Sequence, residues 1–179
     1  MFNTMKFTIK AGKHYARKFL GMRLLFSNSI ELRFRISKSA LYDPDQVVNG
    51  WSKVFGIAEP LGHRNSCRLV FGCFAKDVLT VGMYCYVNSV SPQENTKLKQ
   101  TLGEIRPDTW YRCKIANYKS KTGDYYYYVA IWDNGIFRSF DMPSLKYRFP
   151  VRFLLHPYIG GRFSLEQDCC IEIQRVNKS

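Results

Sequence analysis

Three histidines, 12 tyrosines and 14 acidic residues are the side chains with which this sequence could move protons. Hydrolysis of a glycosidic bond takes two carboxyl groups flanking that bond. The acidic residues lie mostly in turns or alone, and Glu166 and Asp168, though close in sequence, have no recognisable partner. Elimination at a uronate ring is the other route. It takes positive charge on the ring carboxylate and side chains that pass a proton. Arg33, His63 and Tyr158 are of residue types that could supply these, in that chain order. Against this stands a plainer account, in which Arg33 is a solvated face residue, His63 lies in a loop and Tyr158 packs.

Binding needs less than catalysis. Sugar sites use aromatic faces and a few orienting polar groups. The run Tyr125-Tyr126-Tyr127-Tyr128 offers such faces. In a strand Tyr126 and Tyr128 share one side and Tyr125 and Tyr127 the other. One pair reads as core; for the other, cross-strand packing and a ligand platform on an exposed face both stand. Trp51, just after Asn49-Gly50, and Arg64 complete a candidate ligand-binding set of Trp51, Arg64, Tyr126 and Tyr128. Trp110 reads as core. Oxygen ligands for calcium could come from Asp43-Pro44-Asp45 or Asp133-Asn134, but turn chemistry explains both equally well. The six cysteines include no CxxC pair. They read as small buried hydrophobes with free thiols. The expectation is no metal and no cofactor.

The formal net charge of +13 favours an acidic partner: nucleic acid, anionic glycan or an acidic protein surface. The charge is spread along the chain, as on a solvated face. It is densest near the start, where Lys6, Lys10, Lys13, Arg17, Lys18 and Arg23 stand beside Phe7, Tyr15 and Phe19. Two readings stand for residues 1–28: a basic arm contacting phosphates or acidic protein, or an edge strand with a short helix over residues 14–20. No apolar run approaches the roughly 18 residues of a membrane span. No basic start is followed by a compact apolar stretch, so synthesis in the cytosol without secretion is expected.

These side chains would have to be positioned by strands. In Ile30-Glu31-Leu32-Arg33-Phe34-Arg35-Ile36 apolar and charged residues alternate strictly, which a strand sorts onto two faces and a helix scatters. Residues 67–73, 78–87, 111–115 and 170–176 read the same way, and residues 125–132 and 151–155 carry the β-branched and aromatic content that strands favour. Lys121-Thr122-Gly123-Asp124 and Asn134-Gly135 signal turns, the latter a hairpin. Short strands at such spacing predict an all-β, two-sheet antiparallel jelly-roll sandwich over residues 29–179, with residues 1–28 belonging to the same domain.

Thr109-Trp110-Tyr111-Arg112-Cys113-Lys114-Ile115, then Tyr126-Tyr127-Tyr128-Val129-Ala130-Ile131, and the closing His156-Pro157-Tyr158-Ile159-Gly160-Gly161 with Cys170-Ile171-Glu172-Ile173, resemble the late strands of concanavalin A-like lectin/glucanase jelly rolls. The Glu-x-Asp-x-x-Glu stretch of the retaining glucanases in that superfamily is missing. Glu31-Leu32-Arg33 is similar to a strand of alginate-lyase-type polysaccharide lyases, and this resemblance implies Arg33, His63 and Tyr158 as candidate catalytic residues. The lyases' Gln-Ile-His is replaced by Leu61-Gly62-His63, and their late Tyr-Phe-Lys is missing. The stretches 6–15, 63–66 and 157–161 look like uncharacterised proteins of phages (crAss-like) or mobile elements of Bacteroides-type bacteria, which implies a virion component. The resulting expectation is a non-catalytic module binding glycan or other virion proteins, with self-association open. A lyase acting on anionic polysaccharide and a nucleic-acid-binding protein are the alternatives.

Overall fold

Alternation in strand β3 (Ser29–Ile36) becomes a two-faced ribbon: Ile30, Leu32, Phe34 and Ile36 are buried, while Glu31, Arg33 and Arg35 look outward. The structure is a computed structural model that describes residues 4–16, 23–42, 50–60, 64–133, 136–160 and 165–176. The other strands are β1 (Thr4–Ile9), β2 (Arg23–Leu25), β4 (Ser52–Ala58), β5 (Asn65–Ala75), β6 (Val78–Val87) and β7 (Lys99–Ile105). They continue with β8 (Tyr111–Lys119), β9 (Tyr125–Asp133), β10 (Ile136–Pro143), β11 (Arg152–Leu155) and β12 (Cys169–Arg175).

The twelve strands form two antiparallel six-stranded sheets, in the orders β1-β12-β3-β8-β9-β10 and β2-β11-β4-β5-β6-β7. The fold is thus the expected jelly-roll sandwich. Apolar inner faces close on each other because each sheet has one apolar side. Phe34 of the first sheet meets Phe55 of the second, ring centroids 6.3 Å apart. A polar clip crosses the same core: the Tyr127 hydroxyl donates to Asn65 Oδ1 at 2.8 Å, and Asn65 Nδ2 donates to Leu145 O at 2.8 Å. Cys67, Cys73, Cys85, Cys113 and Cys169 are buried free thiols.

The N-terminal residues take the edge-strand alternative. Strand β1 pairs with β12 along its length, and β2 pairs with β11. The helix expected over residues 14–20 does not start: Tyr15 makes an extended bridge to Tyr158, and residues 17–20 lie outside the described residues. Lys10 is tied to Asp168 by an ion pair of 2.5 Å, and the Ala11 amide donates to the same carboxylate. No helix among the described residues is long and apolar enough to cross a membrane.

Candidate functional site

A bulge in β4 aims a lysine. The register of β4 on β5 shifts between Lys53 and Phe55, so Val54 and Phe55 both turn into the core. Lys53 then emerges on the outer face of the second sheet, opposite Val70. Bulges re-aim side chains in this way beside functional sites. Lys53 is also gripped from the other side. Its amide donates to Tyr158 O at 2.7 Å, and the Tyr158 amide donates back to Lys53 O at 3.0 Å. Its ammonium lies 4.4 Å from the centroid of the Tyr158 ring. Burial, then the like charge of Arg68, pulls its pKa down to about 8.

Arg68 comes from β5, where alternation places Ser66 and Arg68 on the outer face and Cys67 and Leu69 in the core. It lies across Gly56 of β4. A Cβ added at Gly56 would stand 2.3 Å from Cys67 O and 2.8 Å from Arg68 Cγ, so a larger residue would meet both the β5 backbone and the arginine side chain. Arg68 Nε and Ser66 Oγ are both buried without a hydrogen-bond partner. Across β6, Tyr84 pairs with Arg68 and Tyr86 with Ser66. The phenols of Tyr86, Tyr15 and Tyr158 are all within electrostatic reach of the Arg68 guanidinium. Burial raises the Tyr84 hydroxyl to about 12, and that hydroxyl bonds Gln93. Tyr158 is raised too, first by burial. Tyr15 packs edge-on against Tyr158 at 4.8 Å, and His14 Nδ1 sits 2.7 Å from Ile159 O.

Among the described residues, no carboxylate comes within ion-pair distance of Lys53 or Arg68; the ion pairs present are Lys10–Asp168, Arg35–Glu172, Arg64–Glu59 and Arg112–Glu31. Two half-buried cations without a counter-charge are costly to fold around. Together with the buried Ser66 hydroxyl and a ring of phenols, they make a cationic patch that no carboxylate among the described residues neutralises. No cluster of three metal-ligating side chains occurs among the described residues.

The residues singled out from sequence scatter. Tyr158 and Trp51 sit on this outer face. Arg33 does not: it projects from the opposite sheet, 5.5 Å from the centroid of Trp110. Arg33 and Tyr158 therefore cannot share a substrate ring, because the full thickness of the core separates them. His63 lies outside the described residues. Tyr126 and Tyr128 are also on the outer face of the first sheet, where Tyr126 stacks on Tyr118 at 5.9 Å, while Tyr127 fills the core. Arg64 is engaged internally, donating to the buried Glu59 carboxylate at 2.8 Å. Trp110 is half-buried beneath Arg33 and Arg35 rather than core. Sequence reading missed Lys53, Ser66, Arg68, Tyr84 and Tyr86. The available signal was a lone arginine in the apolar run Cys67-Arg68-Leu69-Val70-Phe71.

A jelly-roll sandwich with a cationic, tyrosine-rich outer face is the class of protein that fold and geometry define. Among solved structures the chain is similar to a PL-14 alginate lyase from Aplysia kurodai, with a TM-score of 0.55 and 10% identity over 96% of this chain and 80% of that one. It is similar to alginate lyase Aly36B, with a TM-score of 0.55 and 15% identity over 96% of this chain and 78% of that one. It is also similar to a variant of Aly36B in complex with alginate tetrasaccharide, with a TM-score of 0.56 and 13% identity over the same shares. At these identities the likeness is one of fold. No family model and no curated protein matches the chain.

Proposed function

We propose that this protein is a polysaccharide lyase that cleaves a uronate-containing polysaccharide by β-elimination. The observation that carries this reading is the pairing of Lys53 with Arg68: two half-buried cations with no carboxylate beside them among the described residues. The alginate lyases that share the fold support it. A non-catalytic virion role has no comparable observation behind it.

Elimination begins when the ring carboxylate is neutralised, because this acidifies the proton on the adjacent carbon, C5. Arg68 does this. Its guanidinium carries the charge, and its Nε is buried without a hydrogen-bond partner among the described residues. The Ser66 hydroxyl adds a second donor. Lys53, neutral above pH about 8, then takes the C5 proton. The C5–H electrons form the C4–C5 double bond, and the C4–O4 bond breaks. Tyr86 donates its proton to the departing O4. Tyr158 positions the lysine with its ring. Fixed charge at the developing enediolate is worth more here than in water.

The test is ultraviolet absorbance of the new double bond when purified protein meets alginate and other polyuronates. A rising signal that vanishes in Lys53→Ala is expected. Absence of signal and of chain shortening on every uronate polymer would sink the proposal.

A further inference from the structure

Beside the Lys53–Arg68 centre lies a cleft of about 570 Å³, whose lining includes Trp51, Phe74, Tyr84, Gln93, Lys99 and Gln100. Its floor is built from two aromatic rings laid on two glycines. A Cβ on Gly82 of β6 would stand 2.7 Å from Gln100 O and 3.0 Å from the Trp51 indole. One on Gly72 of β5 would stand 2.8 Å from the Phe74 ring. Glycine inside a strand forfeits packing and backbone entropy. Here it lets flat rings lie directly on the sheet. The rings meet at 4.7 Å between centroids, inclined by 58°. Phe74 remains 45% exposed, although it is a large apolar side chain.

The polar wall faces those rings. Lys99 of β7 pairs with Tyr84, which in turn pairs with Arg68, so the row Gly56–Arg68–Tyr84–Lys99 crosses four strands. With strands about 4.8 Å apart, Lys99 stands roughly 10 Å from Arg68 along the row. Tyr84 belongs to both the centre and the cleft, so the two are continuous. A second cation beside an aromatic floor suits the next unit of a polymer that carries a carboxylate on every ring.

We infer that this cleft is a sugar-binding subsite for the uronate units next to the ring being cleaved, with Trp51 and Phe74 stacking on pyranose faces and Lys99 pairing with a carboxylate. The identity of the polymer rests on the lyase reading above.

The experiment compares wild type with Phe74→Ala, Lys99→Ala and Trp51→Phe. Steady-state kinetics is run on polyuronate and on a ladder of its oligomers, with calorimetric titration of the same ladder into each protein in a Lys53→Ala background. Circular dichroism checks folding, and Trp51→Phe keeps a ring on Gly82. Expected is a five- to tenfold rise, roughly, in KM for polymer in Phe74→Ala and Lys99→Ala, larger than any fall in kcat, and a flattened dependence of kcat/KM on oligomer length. If polymer KM and length dependence stay within about twofold of wild type in both variants, the subsite is overturned. If wild type makes no unsaturated product, calorimetry separates the two claims. Uronate binding weakened by Phe74→Ala keeps the subsite and removes the lyase chemistry. No uronate binding removes both.

Discussion

The ammonium of Lys53 rests 4.4 Å from the centre of the Tyr158 ring, and the two residues exchange both backbone hydrogen bonds. The segment around residue 158 therefore cannot shift without carrying the lysine along. The ring face is attractive to the charged form, yet burial and Arg68 prevail and hold the pKa near 8.

That value sets the pH dependence of the reaction. As a general base Lys53 must be neutral. The predicted kcat/KM then rises about tenfold per pH unit below pH 8 and levels above it. A lysine acting only as a cation would give the reverse, a fall through the same pH. Rates measured from pH 6 to 10 decide between the two slopes.

The same lysine should cost stability. Its folded-state pKa lies below its ordinary value of 10.5, so the unfolded chain binds more protons between pH 8 and 10.5, and stability rises with pH across that window. Below pH 8 the folded protein carries the penalty in full. Lys53→Met is predicted to stabilise the protein by about 1–3 kcal/mol at pH 7, with the gain fading toward pH 10.5, while abolishing turnover. Urea unfolding at pH 7 and pH 10 measures the difference.

The clip between Tyr127 and Asn65 joins the sheets inside an apolar core. Tyr127→Phe keeps the ring and leaves Asn65 Oδ1 without its donor. The expected loss is about 1–3 kcal/mol, because an unsatisfied buried acceptor bears its whole desolvation cost. A lower urea midpoint with an unchanged slope is the expected readout. An unchanged midpoint would mean water or another donor replaces the hydroxyl.

Strands with unbroken alternation, such as β3, β8 and β12, were legible because one face is buried and the other wet. Strand β4 was not. Its bulge puts Val54 and Phe55 on one side, which erases the period-two signal at the point where Lys53 is re-aimed. The feature that creates the site thus hides its strand. Arg33 misled for the opposite reason: its strand is the clearest in the chain, but alternation says that a residue faces outward without saying from which sheet. Tyr126 and Tyr128 face outward as alternation requires, on the sheet opposite Lys53.

The two arginines put this distinction to a direct test. Arg33 lies on the first sheet, against Trp110. Arg68 lies on the second, over Gly56 and beside the phenols of β6. Arg68→Ala is predicted to lower kcat/KM on polyuronate by about 10²- to 10³-fold, the usual effect of removing one preorganised charge-stabilising group. Arg68→Lys should recover little of this, since a single ammonium replaces a planar fork of donors. Arg33→Ala, with its side chain across the core from the substrate, should stay within about threefold of wild type, as a remote surface substitution would. Were Arg33→Ala to lose as much activity as Arg68→Ala, substrate would have to occupy the opposite face, and the roles given to Lys53, Arg68 and Tyr86 would fall together.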